Sequence, residues 1–140
     1  MKKDVTKILR SAKFALAGLR HAYQGDKSFR MEIQYGFPIF LFVGYLLAPF
    51  QSWELLLYVF SYVLILLVEL INTAFEKMLD RLHPEQHELI GKSKDIAAGA
   101  VALAYFFALI TLVVLCSDRF FAETLLISHT FVFDTYGRLA

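Results

Sequence analysis

Over residues 4–24, Val5, Ile8, Leu9, Ala12, Ala15, Leu16 and Leu19 recur at spacings of three and four, the period of a helix with one apolar stripe. Lys2, Lys3, Lys7, Arg10, Lys13 and Arg20 supply the basic positions, and a helix so patterned suits the plane of a membrane with anionic lipids. Gly25-Asp26 breaks the pattern, and residues 27–32 form a polar lead-in. Three apolar runs follow, at about residues 33–50, 55–74 and 96–116, each of about 18 residues or more and so able to cross a hydrocarbon core. Gly36, Pro38 and Gly44 in the first run are tolerable in a membrane helix. Pro49, Gln51 and Ser52 predict a tight uncharged turn, and Trp53 and Glu54 mark an interface. The second helix is predicted to outrun its apolar stretch to about Leu82, where Pro84 stops it, and residues 84–93 read as a polar connection. In the third run Ala100, Ala104 and Ala108 repeat every four residues, a spacing that suits close helix packing. The pattern predicts an all-α membrane protein: three transmembrane helices plus an N-terminal amphipathic surface helix. Residues 117–140 mix aromatic and polar positions and receive no assignment.

Composition agrees. The 140 residues are 58% hydrophobic with mean hydropathy +0.55, which indicates one small membrane domain. A net charge of +1 gives no reason to expect a nucleic-acid partner. The basic residues are unevenly placed: of the 14 Lys and Arg, eight precede residue 31 and four lie from Lys77 to Lys94. The positive-inside rule therefore puts the N-terminus and the segment around residues 77–94 in the cytoplasm and the C-terminus outside. Residues 1–30 carry charges throughout and do not read as a cleavable signal peptide. The single cysteine, Cys116, excludes an intrachain disulfide framework.

The chemistry concentrates between Val68 and Gly99, which holds six acidic residues and two His in an otherwise apolar chain. At 100° per residue, Glu69, Asn72, Glu76 and Asp80 fall on one helical stripe, with Glu69 and Glu76 about 10 Å apart along the axis. Carboxylates at the end of a membrane span are costly and mark function. Familiar motifs fail nearby. Gly91-Lys92-Ser93 resembles the end of a P-loop, but Gln86 stands where that loop needs glycine. His83 and His87 have the spacing of a zinc-protease pair, but Pro84 occupies the place of its Glu. Asp80 and Arg81 read as a helix-end charge pair, and Glu54 and Glu88 as interface charges. What remains is carboxylates, an amide and the Lys94-Asp95 pair at a cytoplasmic membrane surface. Carboxylates hold Mg²⁺ together with substrate phosphates, lysine neutralises phosphate charge, and a carboxylate at the membrane edge can act as general base. The set suits phosphate transfer to a lipid alcohol, against a transporter or a non-catalytic membrane subunit.

Glu69-Leu70-Ile71-Asn72-Thr73-Ala74, Glu76, Asp80-Arg81, His87-Glu88-Leu89 and Lys94-Asp95 closely resemble the small bacterial diacylglycerol kinase family. Gly18-Leu19-Arg20 and Phe29-Arg30-x-Glu32 are similar to it as well, so the resemblance spans roughly residues 7–116. It implies a homotrimeric kinase of the bacterial inner membrane, with three spans and a surface helix per protomer and active sites between protomers. Substrates would be MgATP and a lipid drawn from the bilayer.

Carried over by position, the resemblance makes Glu69 the general base, with Asn72 beside it, and Glu76 a metal ligand. Lys94, Asp95, Glu85, Gln86 and His87 would contact ATP, as would Lys7 and Phe14 on the surface helix. Arg20, Phe29, Arg30, Glu32 and Ala98 would lie with Glu69 near the lipid. One departure stands out: where the family usually has Glu as second metal ligand, this chain has Asp26, one methylene shorter but with the same charge and hard oxygens. The segment from Arg81 to Lys94 looks like the diacylglycerol branch, whereas Ile71-Asn72-Thr73-Ala74 and Ile96-Ala97-Ala98-Gly99 look like the undecaprenol kinase branch. Diacylglycerol is the first expectation and undecaprenol the alternative.

Overall fold

The computed structural model describes the backbone of residues 2–82 and 87–136, and side chains within residues 4–82 and 87–121. Every described element is helical: α1 (Lys2–Gly25), α2 (Lys27–Met31), a π-helical turn (Glu32–Gly36), α3 (Phe37–Leu47), α4 (Ser52–Leu82) and α5 (Glu88–Tyr136). Two stretches, Ser52–Leu82 and Glu88–Phe121, are long and apolar enough to cross a membrane. Their outward side chains are large and apolar, among them Leu56 at 71% and Leu103 at 70% exposure. In water such surfaces would be sticky, and lipid is the medium they suit.

The break between α1 and α2 is made by Asp26. Its carboxylate accepts from the Phe29 N–H at 2.7 Å, the side-chain cap that starts a new helix. From Lys27 to Leu47 the chain is helical without interruption. Pro38 accounts for the π turn inside it: proline offers no N–H to the Gln34 carbonyl and its ring crowds that oxygen, so the preceding turn widens. The Phe37 N–H then bonds to the Glu32 carbonyl, and the Tyr62 hydroxyl donates to the same oxygen at 2.8 Å. The run expected over residues 33–50 is thus a π turn followed by α3, ending at Leu47.

α3, α4 and α5 pack through complementary faces. α4 buries Glu54, Tyr58, Ser61, Tyr62, Ile65, Glu69 and Thr73, spaced three and four apart except at the adjacent Ser61 and Tyr62. Against it the rings of Phe50, Tyr58, Phe40, Tyr62 and Phe37 form a continuous series, with Phe40 centred 4.5 Å from Tyr58 and 4.6 Å from Tyr62. Each such pair adds about 0.5–1.5 kcal/mol beyond its buried area. The Tyr58 hydroxyl donates to the Phe40 carbonyl at 2.6 Å, so the polar tips are satisfied within the apolar layer. Gly44 makes room here, since a methyl group on it would sit 3.0 Å from the Tyr58 ring.

Among the described residues of α5 the buried positions are Ala104, Thr111 and Leu115, with Ala108 half-buried and Ala100 exposed. All three alanines of the every-four repeat nonetheless turn toward the neighbouring helices, Ala100 lining the α4–α5 groove and Ala108 a cavity shared with α3 and α4, as a close-packing spacing predicts.

One contact ties the end of the apolar layer. The Arg119 guanidinium donates to both Glu54 oxygens, at 3.2 and 2.8 Å, to the Leu47 carbonyl at 3.1 Å and to the Pro49 carbonyl at 2.7 Å. Glu54 also accepts from the Gln51 N–H at 2.7 Å, the return bond of a capping box. Glu54 is therefore the buried half of a clasp joining α3, α4 and α5, where the sequence reading had an interface charge.

Two further differences concern α5. Residues 88–93, expected in a polar connection, already belong to this helix. His87 starts it: its ring nitrogen accepts from the Leu89 N–H at 3.2 Å and its carbonyl accepts from the N–H groups of Ile90 and Gly91. Lys92 and Glu88 pair at 2.6 Å one turn apart, so polarity here reflects an exposed helix end and not a loop. At its other end α5 continues to Tyr136, through most of the tail that had no assignment.

Candidate active site

The stripe on α4 converges with the α1–α2 junction. Glu69 lies on the buried face of α4 and is 5% exposed, among the apolar residues of a membrane-length helix. One turn on, the Asn72 amide donates to Glu76 Oε1 at 3.2 Å. The Asn72 carbonyl oxygen is buried with no hydrogen-bond partner among the described residues. Asn72 also lines a groove of about 330 Å³ between α4 and α5, whose other walls include Val68, Ile71, Phe75, Ile96 and Ala97.

Folding brings residues distant in sequence to Glu69. The charges of Asp26, Glu32 and Glu76 and the Ser28 hydroxyl all act on its carboxyl. Four carboxylates from three helical segments thus share one end of the bundle. Glu32 is half-buried, and burial pushes its carboxyl above the ordinary 4.5. It lies beside Gly36, where a methyl group would meet Glu32 Oε2 at 2.8 Å. Ser28 was not singled out in the sequence. Its only sequence signal is a place two residues after Asp26.

Other expected site residues stand around this centre at differing distances. Phe29 is buried at 4% exposure and fixes α2 against its neighbours. Arg30 donates to the Gln24 carbonyl at 3.5 Å. Lys94 pairs with Asp80, which links the C-terminal end of α4 to the start of α5. Asp80 thus bonds across helices, not to its neighbour Arg81. Asp95 and Ala98 are exposed on the first turns of α5. Lys7, Phe14 and Arg20 are exposed on α1, and no hydrogen bond or ion pair joins them to the Glu69 group among the described residues. Glu85 and Gln86 lie outside the described residues.

A centre of this kind, with a buried carboxylate and a hydrogen-bonded amide–carboxylate pair at the end of an apolar helix, can take a proton and hold a hard cation. Comparison with known proteins adds the lineage. The model of the prokaryotic diacylglycerol kinase family matches residues 13–116. The chain belongs to that family. The diacylglycerol kinase of Escherichia coli (strain K12) is 33% identical over 118 residues, 82% of this chain and 93% of that protein. The diacylglycerol kinase of Haemophilus influenzae is 32% identical over 103 residues, 71% of this chain and 83% of that protein. For the diacylglycerol kinase of Helicobacter pylori (strain J99) the figures are 28% over 105 residues, 75% and 80%. The diacylglycerol kinase family match takes in Glu69, Asn72, Glu76 and Asp26 and ends before Arg119, so the Glu54–Arg119 clasp reaches outside it.

Proposed function

We infer that the protein is a lipid kinase of the membrane that transfers the γ-phosphoryl group of MgATP to diacylglycerol, giving phosphatidic acid and ADP. One observation carries the reading: a buried carboxylate, Glu69, at the end of an apolar helix, followed by the hydrogen-bonded Asn72–Glu76 pair. Glu69 takes the proton of the lipid hydroxyl as its oxygen attacks the γ-phosphorus, and the bond from that phosphorus to the β–γ bridging oxygen breaks. Asn72 holds Glu76 by its amide and leaves its own carbonyl oxygen free to accept a hydrogen bond from substrate. The apolar groove beside Asn72 suits a lipid chain.

Among the described residues no three His, Cys, Asp or Glu side chains form a metal cage. Mg²⁺ typically uses one or two protein carboxylates and completes its shell with phosphate oxygens and water. Asp26 and Glu76, both acting on Glu69, have the hard oxygens for that role. Bound there, Mg²⁺ would neutralise charge on the phosphates. Lys94 and Asp95 serve the nucleotide, with Glu85, Gln86 and His87. Arg20, Phe29, Arg30, Glu32 and Ala98 serve the lipid.

In the assembled enzyme, residues 33–50 form a third span, α1 lies on the cytoplasmic surface, and the catalytic end of α4 faces the cytoplasm. Lys7 and Phe14 reach a nucleotide on a neighbouring chain of a homotrimer, which accounts for their separation from Glu69 within one chain.

The test is transfer of label from radiolabelled ATP to diacylglycerol or undecaprenol in mixed micelles. Wild type is expected to label diacylglycerol, and Glu69→Gln to lose about 10²–10⁴ of the rate, the usual worth of a positioned base, while still binding nucleotide. Labelling of undecaprenol alone would keep the mechanism and change the lipid. No transfer to either lipid by folded, Mg²⁺-supplied protein would refute the reading.

A further inference from the structure

At the junction of α1 and α4 the Lys77 ammonium lies against the backbone of Gly25. A methyl group on Gly25 would sit 2.8 Å from Lys77 Nζ and 3.7 Å from its Cε. Gly25 ends α1 and is followed directly by Asp26. The lysine thus reaches from α4, one residue past Glu76, to the residue beside Asp26. Its position is favourable without any ligand, because the last turn of α1 has no basic residue of its own and a cation suits a helix C-terminus.

Several other cations at this end of the molecule are engaged. Lys94 pairs with Asp80 and Lys92 with Glu88, and Arg30 donates to a backbone carbonyl. Arg20, Lys27 and Arg81, like Lys77, make no hydrogen bond or ion pair among the described residues; Lys77 is set apart by its reach across the junction to Gly25. Lys77 is exposed and makes no hydrogen bond or ion pair among the described residues, so its three N–H donors are available. Across the junction stand Asp26, Glu32, Glu69 and Glu76, whose negative charges meet at Glu69. A polyphosphate entering such a field needs positive charge from the protein as well as from its metal, and a flexible ammonium supplies a point charge of that kind.

We propose that Lys77 is a nucleotide-phosphate contact of this active site, held at the α1–α4 junction by the absence of a side chain on Gly25. The proposal rests on the kinase reading above and adds a residue to it. From its place against Gly25 the ammonium meets the phosphates when nucleotide arrives, so a side chain that pushes it away misplaces the contact.

Binding and turnover separate this role from a merely structural one. Displacement of a fluorescent ATP analogue by a non-hydrolysable one measures nucleotide affinity without transfer, and KM for ATP and for diacylglycerol are measured alongside. Lys77→Met should weaken analogue binding and raise the ATP KM by about tenfold, the size of one charge-assisted hydrogen bond, with the diacylglycerol KM unchanged. Lys77→Arg should keep most of the affinity. Gly25→Ala keeps the lysine but displaces the tip of a flexible side chain, and should weaken nucleotide binding while helicity and thermal stability hold; it carries the test if Lys77→Met fails to fold. Wild-type nucleotide affinity in both Lys77→Met and Gly25→Ala would overturn the proposal, and so would equal loss for nucleotide and lipid. In either case wild type still transfers phosphate and Glu69→Gln still does not, so the kinase reading survives. A wild type that binds no nucleotide and transfers no phosphate would overturn both.

Discussion

Glu69 shows how a single residue acquires a role from its surroundings. On the buried face of α4 its carboxylate is screened from solvent, and three other carboxylates act on it. A surface Glu would be solvated and interchangeable, whereas this one is buried at a place where chain entropy and packing alone would favour an apolar side chain. Glu32 belongs to the same group and allows a pH test. Burial raises its carboxyl above 4.5 in the folded protein. The folded form therefore keeps a proton that the unfolded chain has lost, and stability falls as pH rises from about 4.5 through the raised value. Thermal unfolding followed across that window should show the decline in wild type and a flatter profile in Glu32→Gln. Identical slopes for the two proteins would mean that Glu32 is as solvated in the fold as out of it.

At the scale of elements, helix ends decide the arrangement. Asp26 separates α1 from α2, His87 starts α5, and Pro38 accounts for the π turn from Glu32 to Gly36. The Glu54–Arg119 clasp closes the opposite end of the bundle from Glu69, and in the proposed orientation it would compensate a cation on the outer side, where the positive-inside rule disfavours one. Removing one member leaves the other without its counter-charge, whereas replacing both with apolar residues removes the mismatch. Arg119→Met should thus lower the unfolding temperature in detergent more than the double variant Glu54→Leu, Arg119→Met. If the double variant is the less stable of the two, the bond from the Gln51 N–H to Glu54 is worth more than the unpaired Glu54 charge costs, since the Arg119 bonds to Leu47 and Pro49 are lost in both.

For the whole molecule, the exposed apolar faces of α4 and α5 require a lipid or protein neighbour. In the proposed trimer the exposed Lys7 and Phe14 would serve a nucleotide site shared between chains. Cross-linking in mixed micelles should give a product of three chains, and in a Cys116→Ala background single cysteines placed at Lys13 and at Lys92 should react with an impermeant reagent only from the cytoplasmic side. A predominant monomer, retained at full transferase activity, would remove the shared site. Labelling of either position from outside would reverse the orientation.

Much of this architecture was legible in the order of residues. Three apolar runs, a basic amphipathic segment and the Glu69-Asn72-Glu76 stripe follow from periodicity and from the cost of placing charge in hydrocarbon, which are local properties of a chain. The helical start of α5 was hidden because polar composition describes an exposed helix end as well as a loop. Only tertiary structure could bring Asp26, Ser28 and Glu32 to Glu69, set Lys94 against Asp80 and Lys77 against Gly25, and join Arg119 to Glu54 across 65 positions. Short-range patterns determine which face of a helix is buried. Which charge meets which depends on the crossing of helices far apart in sequence, and the pairing energy resides in distances that no spacing along the chain encodes.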